Sequence, residues 1–368
     1  MPGKKETLES KLSELESEFS KTKDNKATNK HLGKLRSKIA ETRREIEKAS
    51  KRVKGKGFFV KKGGDATVAL VGFPSTGKSS LLNALTRSNS KTAPYAFTTT
   101  GIIPGTMVYR DAHIQVLDMP GLIESAHTGI GDAASIVAQI RVADLIVFVV
   151  EVSNTAQLDV LMTELSELSV YVNKQRPDVQ VNEVSSYTGL RFEVNRSGLR
   201  DEVLRTIFTG FGIYNATVRI WDAIGEDELI SLLADKSCYK RAVVAMNKID
   251  TDSSYIATAQ ELSRRHGIEV VPVSAMDSST LAPLKASIYS NSGLIRVYLK
   301  PRFDKESSPI TVKRGFTVGE LAKRVHTEIL DELKCAYIEG SSVKFSNQRV
   351  GAKHVLADGD IITFIRKM

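Results

Sequence analysis

Gly72-Phe-Pro-Ser-Thr-Gly77-Lys78-Ser79 is the most informative segment of this 368-residue chain. It follows an apolar run and opens a helical pattern, as a phosphate-binding loop does. In the pattern G-x-x-x-x-G-K-S/T the glycines let several backbone N–H groups point at a polyphosphate. The lysine then reaches the β and γ phosphates, and the hydroxyl ligates Mg²⁺. A nucleotide site is therefore predicted at Gly72, Ser75, Thr76, Gly77, Lys78, Ser79 and Ser80.

A second motif, Asp118-Met-Pro-Gly121, ends the apolar run that begins at His113. A carboxylate at a strand end can hold Mg²⁺ through water, so Asp118 is a predicted metal residue beside Ser79. The Gly121 N–H can bond a γ-phosphate that disappears on hydrolysis. Because D-x-x-G is also a common turn, this motif counts only together with the others.

A third motif, Asn247-Lys248-Ile-Asp250, closes an apolar run that begins at Arg241. Asp250 can accept two bonds from the N1–H and the exocyclic amine of guanine, which adenine does not offer. Asn247 would brace the loops, and the stem of Lys248 would cover the base. The later Ser274-Ala275-Met276 would give a backbone N–H to the guanine carbonyl oxygen. Each motif falls at the carboxyl end of a predicted strand, where open α/β sheets bind ligands, so the predicted ligands are GTP and GDP.

Between the first two motifs lies a polar run that would cover the γ-phosphate. One of its threonines should complete the Mg²⁺ shell, but spacing alone does not choose among Thr98, Thr99 and Thr100. The alternative is that all three simply solvate a loop.

Leu122 follows Gly121 at the place where Ras-type enzymes have a glutamine that orients the attacking water. Slow intrinsic hydrolysis is therefore predicted. The water would be positioned by His127, a backbone group, a monovalent cation or a partner. His127 lies in a glycine-rich segment, so it is a catalytic candidate with a plain loop histidine as the alternative.

Composition narrows the class of protein. Hydrophobic residues make up 41% of the chain, which supports real cores, and Cys238 and Cys335 are the only cysteines. No disulfide framework, apolar leader or run of roughly 18 apolar residues is visible. A cytoplasmic protein without a membrane segment is predicted.

Charge is segregated along the sequence. Residues 1–62 hold 19 Lys/Arg against 9 Asp/Glu, residues 63–290 hold 19 against 25, and residues 291–368 hold 14 against 9. Basic ends around an acidic middle favour a polyanionic partner, most plausibly RNA. The alternative is that the basic runs are only solvated faces.

Apolar spacing predicts a helical hairpin over residues 3–50, then strands at Thr67–Phe73, His113–Asp118 and Asp144–Val152, with helices at Ser79–Arg87, Asp132–Val142 and Ala156–Lys174. This alternation is typical of a right-handed α/β sheet. Glu151 and Asn247 lie 96 residues apart, and one helix with its loops explains about 35 of them. A small inserted α+β unit is therefore predicted. The predicted domains are 1–62, 63–175 with 234–290 as the core, 176–233 as the insert, and 291–368.

The carboxyl-terminal segment has a ubiquitin-like β-grasp order. Its predicted strands are Leu294–Leu299, Ile310–Val312, Cys335–Ile338, Ser342–Phe345 and Asp360–Ile365, with a helix at Val318–Leu330. Such a domain carries no catalytic constellation and is expected to dock.

The chain resembles the developmentally regulated GTP-binding protein family of the Obg-related GTPases over essentially its whole length. The most specific local elements are Asn25-Lys-Ala-Thr-Asn-Lys-His-Leu-Gly33, the phosphate-binding loop, Tyr95-Ala-Phe-Thr-Thr-Thr, and Asp118-Met-Pro-Gly-Leu-Ile. The resemblance implies a helix-turn-helix-like start, a P-loop GTPase domain, an inserted unit like ribosomal protein S5 domain 2, and a TGS domain. It also implies that Thr99 is the switch ligand for Mg²⁺.

Two departures limit what the resemblance implies. Ser75 stands where Obg relatives often carry an asparagine associated with K⁺-stimulated hydrolysis, so K⁺ stays a candidate cofactor without that support. Gly129-Ile-Gly131-Asp132-Ala133 departs from Gly-x-Gly-Arg-Gly, so an arginine contact is not expected.

The leading hypothesis is a slow GTPase that acts as a factor on the ribosome or ribosome-associated RNA. A regulatory protein partner is a further expectation, and neither a membrane nor DNA is expected as a partner. The competing hypothesis is a ribosome-assembly or RNA-binding scaffold in which turnover is incidental.

Overall fold

The computed structural model describes residues 4–21, 31, 33–35, 38–39, 41–42, 63–86, 103–119, 137–184, 189–300 and 307–366. The chain divides into two compact units, which are described in turn. One unit contains residues 1–57 and 165–239, and the other contains residues 58–164 and 240–368. Among the described helices, none is long and apolar enough to span a membrane.

The strands, in chain order, are β1 Ala66–Val71, β2 Ile103–Tyr109, β3 Ala112–Asp118, β4 Leu145–Glu151, β5 Val170–Val172, β6 Val179–Glu183, β7 Leu190–Asn195, β8 Ala216–Ile220, β9 Cys238–Asn247, β10 Val270–Pro272, β11 Leu294–Leu299, β12 Ser308–Lys313, β13 Leu333–Glu339, β14 Gln348–Val350 and β15 Ile361–Arg366. The helices are α1 Lys4–Lys21, α2 Lys78–Thr86, α3 Gln157–Glu167, α4 Asp201–Gly210, α5 Glu226–Leu233, α6 Tyr255–His266, α7 Leu281–Asn291, α8 Val318–Val325 and α9 Thr327–Asp331. Helical conformation is also present at residues 31, 33–35, 38–39 and 41–42, here called the second helical segment, and at 137–142.

The larger unit is built on a sheet with strand order β10-β9-β4-β1-β3-β2. β1 pairs in parallel with β3 and β4, β4 pairs in parallel with β9, and only β2 is antiparallel to its neighbour within this order. All six residues of β1 are buried, as expected of a strand covered on both faces. The predicted α/β class with a parallel sheet is therefore confirmed.

The register of the sheet gathers the sequence motifs at one edge. Leu70 in β1 pairs with Asp118 in β3, and Glu151 in β4 pairs with Asn247 in β9. Because parallel strands end on the same side, the loops that follow β1, β3, β4 and β9 share that edge. Apolar residues of α2 then pack into the core under the loop that follows β1.

One helix of this region is shorter than predicted. The helix expected to run to Lys174 ends at Glu167, and residues 170–172 form β5. The backbone turns at Ser169, whose φ of 61° is left-handed, and the Ser169 carbonyl oxygen accepts from Cys238 N over 2.8 Å. Pairing with the start of β9 therefore overrides the helical pattern of the sequence.

The β-grasp domain has strand order β12-β11-β15-β13-β14, with α8 packed on its core. The capping box of Thr317 and Glu320 begins α8. The helix predicted to reach Leu330 is interrupted at His326, whose backbone is extended (φ −163°, ψ 137°).

One predicted strand of this domain is wrong. Residues 342–345 lie in a turn, and the edge strand beside β13 is β14. The Gln348 side chain accepts from the backbone N–H of Lys344 over 2.9 Å, so this turn is closed by a side chain and not by a strand ladder.

The smaller unit contains the insert and the amino-terminal helices. A three-stranded sheet with order β6-β8-β7 has an apolar core formed with α4 and α5, so the insert is an α+β unit. Leu204, Ile207 and Phe208 of α4 are fully buried in that core.

Candidate nucleotide site

The loop between β1 and α2 needs glycine at two positions. A Cβ at Gly72 would lie 2.4 Å from the carbonyl oxygen of Val149 in β4, so the loop passes too close to the sheet for a side chain. Gly77 has a φ of +89°, and a Cβ there would lie 2.3 Å from Asn247 Nδ2. The two glycines of the motif are therefore fixed by neighbouring strands as well as by the loop itself.

Lys78 folds back over the loop that it follows. Its ammonium donates to the carbonyl oxygens of Gly72 (2.9 Å) and Phe73 (2.7 Å), and the residue is only 9% exposed. A lysine held in this position presents a fixed positive charge beside the loop N–H groups. That arrangement is suited to the β and γ phosphates of a nucleotide.

Ser79 and Asp118 meet between the loop and the end of β3. Ser79 Oγ donates to Asp118 Oδ2 over 2.5 Å. Burial raises the pKa of the Asp118 carboxyl above 3.8, and the Ser79 hydrogen bond and the charge of Lys78 partly offset that rise. A hydroxyl and a carboxylate at this distance are hard oxygen donors of the kind that Mg²⁺ prefers, so the residues fit the ion.

Asn247 links the phosphate loop to the loop after β10. Its Nδ2 donates to the Thr76 carbonyl oxygen (2.8 Å), and its Oδ1 accepts from Ala275 N (3.1 Å). Asn247 is 2% exposed, its bond to Thr76 is buried, and its bond to Ala275 is partly buried. The predicted brace between the loops is therefore present.

The residues predicted to read guanine lie on either side of this brace. Ser274 Oγ donates to Asp250 Oδ1 over 2.6 Å, and the Met276 N–H bonds to the same hydroxyl (3.3 Å). Asp250 itself is exposed, so its other carboxylate positions remain available to a base. Ser274 thus orients the carboxylate that the sequence assigns to guanine.

Lys248 has a partner that the sequence reasoning missed. Its ammonium forms an ion pair with Glu151 at the end of β4, and its backbone is left-handed (φ 64°). Glu151 pairs with Asn247 in the sheet, so the side chains of Glu151 and of the next residue, Lys248, lie at the same edge. The signal in the sequence for this ion pair is Glu151 itself, an acidic residue at the end of the strand that pairs with β9.

The remaining predicted residues divide into two groups. Ser75 and Ser80 are exposed, and Ser75 has a left-handed backbone (φ 63°). Thr99, Gly121 and His127, with Thr98 and Thr100, lie outside the residues that the structure describes. The structure thus brings together the phosphate loop, Asp118 and the guanine-reading residues, and the roles of the other three stay predictions.

Three family profiles match consecutive parts of the chain. Residues 67–183 match the family described as "50S ribosome-binding GTPase". Residues 188–294 match the carboxyl-terminal region of that domain, and residues 295–366 match the TGS domain. The predicted P-loop GTPase and TGS domains are thereby confirmed.

Relatives are similar over nearly the full length. A GTP-binding protein of Methanocaldococcus jannaschii is 36% identical over 98% of this chain and 93% of its own length. Developmentally-regulated GTP-binding protein 1 homolog of Dictyostelium discoideum is 34% identical over 98% of this chain and 100% of its own length. Developmentally-regulated GTP-binding protein 2 of Homo sapiens is 33% identical over 97% of this chain and 99% of its own length. The chain therefore belongs to the developmentally regulated GTP-binding protein family of P-loop GTPases.

Proposed function

We propose that this protein hydrolyses GTP slowly to GDP and phosphate and acts as a nucleotide-switched factor on the ribosome. The observation that supports the nucleotide part is the Asn247 brace, which joins the phosphate loop to the loop after β10 through one buried and one partly buried hydrogen bond. Because the brace contacts both halves of the site, one nucleotide can engage phosphate-binding and guanine-reading residues together.

In this proposal each residue has a role set by its position. Lys78 and the loop N–H groups bind and orient the phosphates, and Asp250 holds the guanine edge. Ser79, Asp118 and Thr99 would hold Mg²⁺. When bound, that ion neutralises charge that develops on the phosphate oxygens. Gly121 would sense the γ-phosphate.

Turnover is expected to be slow because Leu122 has no group that can orient a water molecule. His127 is the side-chain candidate for that task, and K⁺ or a regulatory protein are the alternatives. Single-turnover hydrolysis by the full chain tests this point. His127→Ala should lower the rate if the imidazole orients water, and it should leave the rate unchanged if a cation or a partner does.

The ribosomal part of the proposal has two supports. One is the description of the matched family, and the other is the basic charge of residues 1–62 and 291–368 around an acidic core. A cytoplasmic location follows from this role. The second candidate, an RNA-binding scaffold, is favoured by the same charge but makes turnover incidental.

Co-sedimentation with ribosomes and separated subunits tests the proposal. The protein would be compared with a GTP analogue, with GDP and without nucleotide, at low and at moderate salt. Binding that needs the GTP form and survives moderate salt supports the factor. Binding that ignores nucleotide and fades with salt contradicts it, because a general polyanion surface behaves that way.

Lys78→Ala separates the factor from the scaffold. Loss of the ammonium should remove nucleotide binding, so a nucleotide-switched factor should lose its GTP-dependent association. A scaffold should keep the same sedimentation as the unaltered protein. Lys344→Ala, in the turn before β14, is the matched control for loss of one lysine.

A further inference from the structure

The second helical segment packs on the insert within the smaller unit. Leu35 and Thr42 are each 3% exposed, and a Cβ at Gly33 would lie 3.6 Å from Thr206 Cγ2 in α4. The apolar side of the segment is therefore used for packing inside the protein. The opposite side of the segment carries the exposed residues Lys34 and Lys38, and this side is accessible to a partner.

A groove lies where this segment meets the turn after α4. The cavity has a volume of about 340 Å³, and its lining residues include Lys34, Lys38 and Glu41 from the segment and Gly210, Gly212 and Tyr214 from the insert. This volume is at the small end of the range of ligand sites, about 300–1,000 Å³. We refer to these six residues as the Lys34–Tyr214 groove.

Two lysine side chains, those of Lys34 and Lys38, line this groove. Lys34 and Lys38 are four residues apart on a helix, so their side chains lie on one face about one turn apart. Both are exposed, and no carboxylate of the described residues forms an ion pair with either of them. Such a pair can contact two phosphates of one strand.

An aromatic ring completes the groove. Tyr214 is 63% exposed. It lies two residues after Gly212, whose φ of +80° turns the chain and where an added Cβ would have no neighbour within 4 Å. The ring can therefore be reached from solvent by a flat ligand.

We infer that the Lys34–Tyr214 groove binds single-stranded RNA, an inference that rests on the proposed RNA-directed function. Lys34 and Lys38 hold the backbone phosphates, and Tyr214 stacks on an unpaired base. A base in a duplex is already stacked and would not reach the ring. The groove is therefore selective for single strands over duplexes.

Glu41 adds a preference among bases. Its carboxylate lines the same groove and can only accept hydrogen bonds when ionised. Cytosine offers an exocyclic amine to such an acceptor, and uracil offers a carbonyl oxygen at that place. The groove should prefer oligocytidine over oligouridine.

The test measures fluorescence anisotropy of labelled oligocytidine and oligouridine of about twelve nucleotides, a length within the range of single-strand binding sites. The full chain is compared with the double variant Lys34→Glu with Lys38→Glu. We expect its affinity for oligocytidine to fall at least about tenfold at low salt, and the slope of log K against log salt to decrease by about 1.4. Tyr214→Ala should weaken binding about tenfold, and Tyr214→Phe should keep it.

The matched control is Lys11→Glu with Lys21→Glu, which makes the same charge change on exposed residues of α1, outside the groove. It should weaken oligonucleotide binding less than about twofold, because the same change in net charge acts only over distance and is screened by salt. Glu41→Gln should raise affinity for both oligonucleotides and reduce the preference for cytidine. Circular-dichroism melting and GTP binding check that every variant is folded.

Several outcomes would overturn the inference. Equal losses from the control and from the groove variant would show a diffuse electrostatic surface. Equal competition by polyglutamate and by oligocytidine would point to an acidic protein segment. No binding of either oligonucleotide, with GTP-dependent ribosome association intact, would reject the groove and keep the proposed function. RNA binding at the groove without nucleotide-dependent ribosome association would reject the proposed function instead.

Discussion

The side chain of Asn247 donates a hydrogen bond to the backbone carbonyl oxygen of Thr76 over 2.8 Å. The two residues lie 171 positions apart in the sequence, on either side of the insert. Because the same amide also accepts from Ala275 N, one side chain ties the phosphate loop and the loop after β10 to the end of β9. The residues predicted to bind phosphate and those predicted to read guanine are therefore linked through Asn247.

Asn247→Ala should damage stability and binding together. It leaves the buried Thr76 carbonyl oxygen and the partly buried Ala275 N–H without this partner, which costs about 2 kcal/mol. We expect a lower melting temperature in the nucleotide-free protein and weaker binding of a fluorescent GDP analogue. Asn291→Ala is the control. Asn291 is the last residue of α7, and its amide donates to Glu269, away from the nucleotide site. A lower melting temperature with unchanged affinity for the GDP analogue would contradict the coupling.

Asp118 gives a prediction about pH. Burial raises its pKa, so the folded chain binds this proton more tightly than the unfolded chain does. The free energy of unfolding therefore falls as the pH rises from about 3.8 through the raised pKa, and the ionised carboxylate is a cost at neutral pH. Asp118→Asn should raise the melting temperature of nucleotide-free protein at neutral pH and remove Mg²⁺-dependent strengthening of nucleotide binding.

The control for this prediction is the pH series itself. The difference in melting temperature between Asp118→Asn and the unaltered protein should shrink as the pH is lowered toward 3.8, where the unfolded carboxyl also binds its proton. A difference that stays constant over that range would mean that the substitution acts through packing. Asp252→Asn, at an exposed carboxyl whose pKa is lowered by Ser254, should not reproduce the gain.

Glu151 is predicted to hold Lys248 in position. The ion pair joins the end of β4 to the guanine-reading loop, and the side chains are 22% and 41% exposed. Exposed pairs contribute little to stability, so Glu151→Gln should scarcely change the melting temperature. GDP dissociation should become about two- to fivefold faster, because Lys248 is no longer held beside the base.

A stopped-flow measurement of GDP-analogue release checks this effect. Asp159→Asn is the matched control, because it removes one carboxylate of an exposed pair with Arg265 in the same unit. Glu151→Gln combined with Lys248→Ala should be no worse than Lys248→Ala alone if the two side chains act as a pair. Additive effects would show that Glu151 acts elsewhere.

Among the described residues, three ion pairs join the TGS domain to the core. Arg324 pairs with Asp65, Lys313 pairs with Asp144 over 2.5 Å, and Arg296 pairs with Asp111 over 2.6 Å. The three carboxylates lie just before β1, β4 and β3. The domain is therefore attached at the opposite end of the strands from the nucleotide site.

Reversing two of these TGS charges should loosen the domain without changing the nucleotide site. Lys313→Glu with Arg324→Glu leaves Asp144 and Asp65 facing like charges, and we expect the melting temperature to fall by about 4 °C. Limited proteolysis should release the TGS domain sooner. Lys344→Glu with Lys353→Glu, on exposed turns of the same domain, is the control. We expect equal GDP affinity in both variants. A loss of GDP affinity confined to Lys313→Glu with Arg324→Glu would show that the TGS attachment and the nucleotide site are coupled.

The sequence predicted the local parts of this molecule better than its long-range contacts. The spacing of the motifs predicts the phosphate-loop and guanine-reading residues, and the apolar runs that end at those motifs predict the strands that carry them. Glu151, by contrast, becomes part of the site only through the register of β4 with β9. The ion pair of Arg324 with Asp65 joins residues 259 positions apart, which no spacing rule reveals.

The errors at β5 and at residues 342–345 have the same physical origin. An amphipathic pattern continued beyond Glu167, but pairing with β9 and the left-handed Ser169 ended the helix. A short apolar alternation suggested a strand at 342–345, but the Gln348 side chain supplies the hydrogen bonds there. Tertiary partners decide such short segments because their intrinsic preferences are weak.

Ser75 provides a test of cation dependence. Its left-handed backbone (φ 63°) is one that asparagine adopts more readily than serine, so Ser75→Asn should fit the loop and slightly raise the melting temperature. Obg-related proteins with asparagine at this position are associated with K⁺-stimulated turnover, so we expect the variant to hydrolyse GTP faster in KCl than in NaCl. The unaltered protein should show no such difference. Ser80→Asn, in the first turn of α2, controls for an added amide nearby. A K⁺ response already present with Ser75 would mean that another group supplies the cation contact.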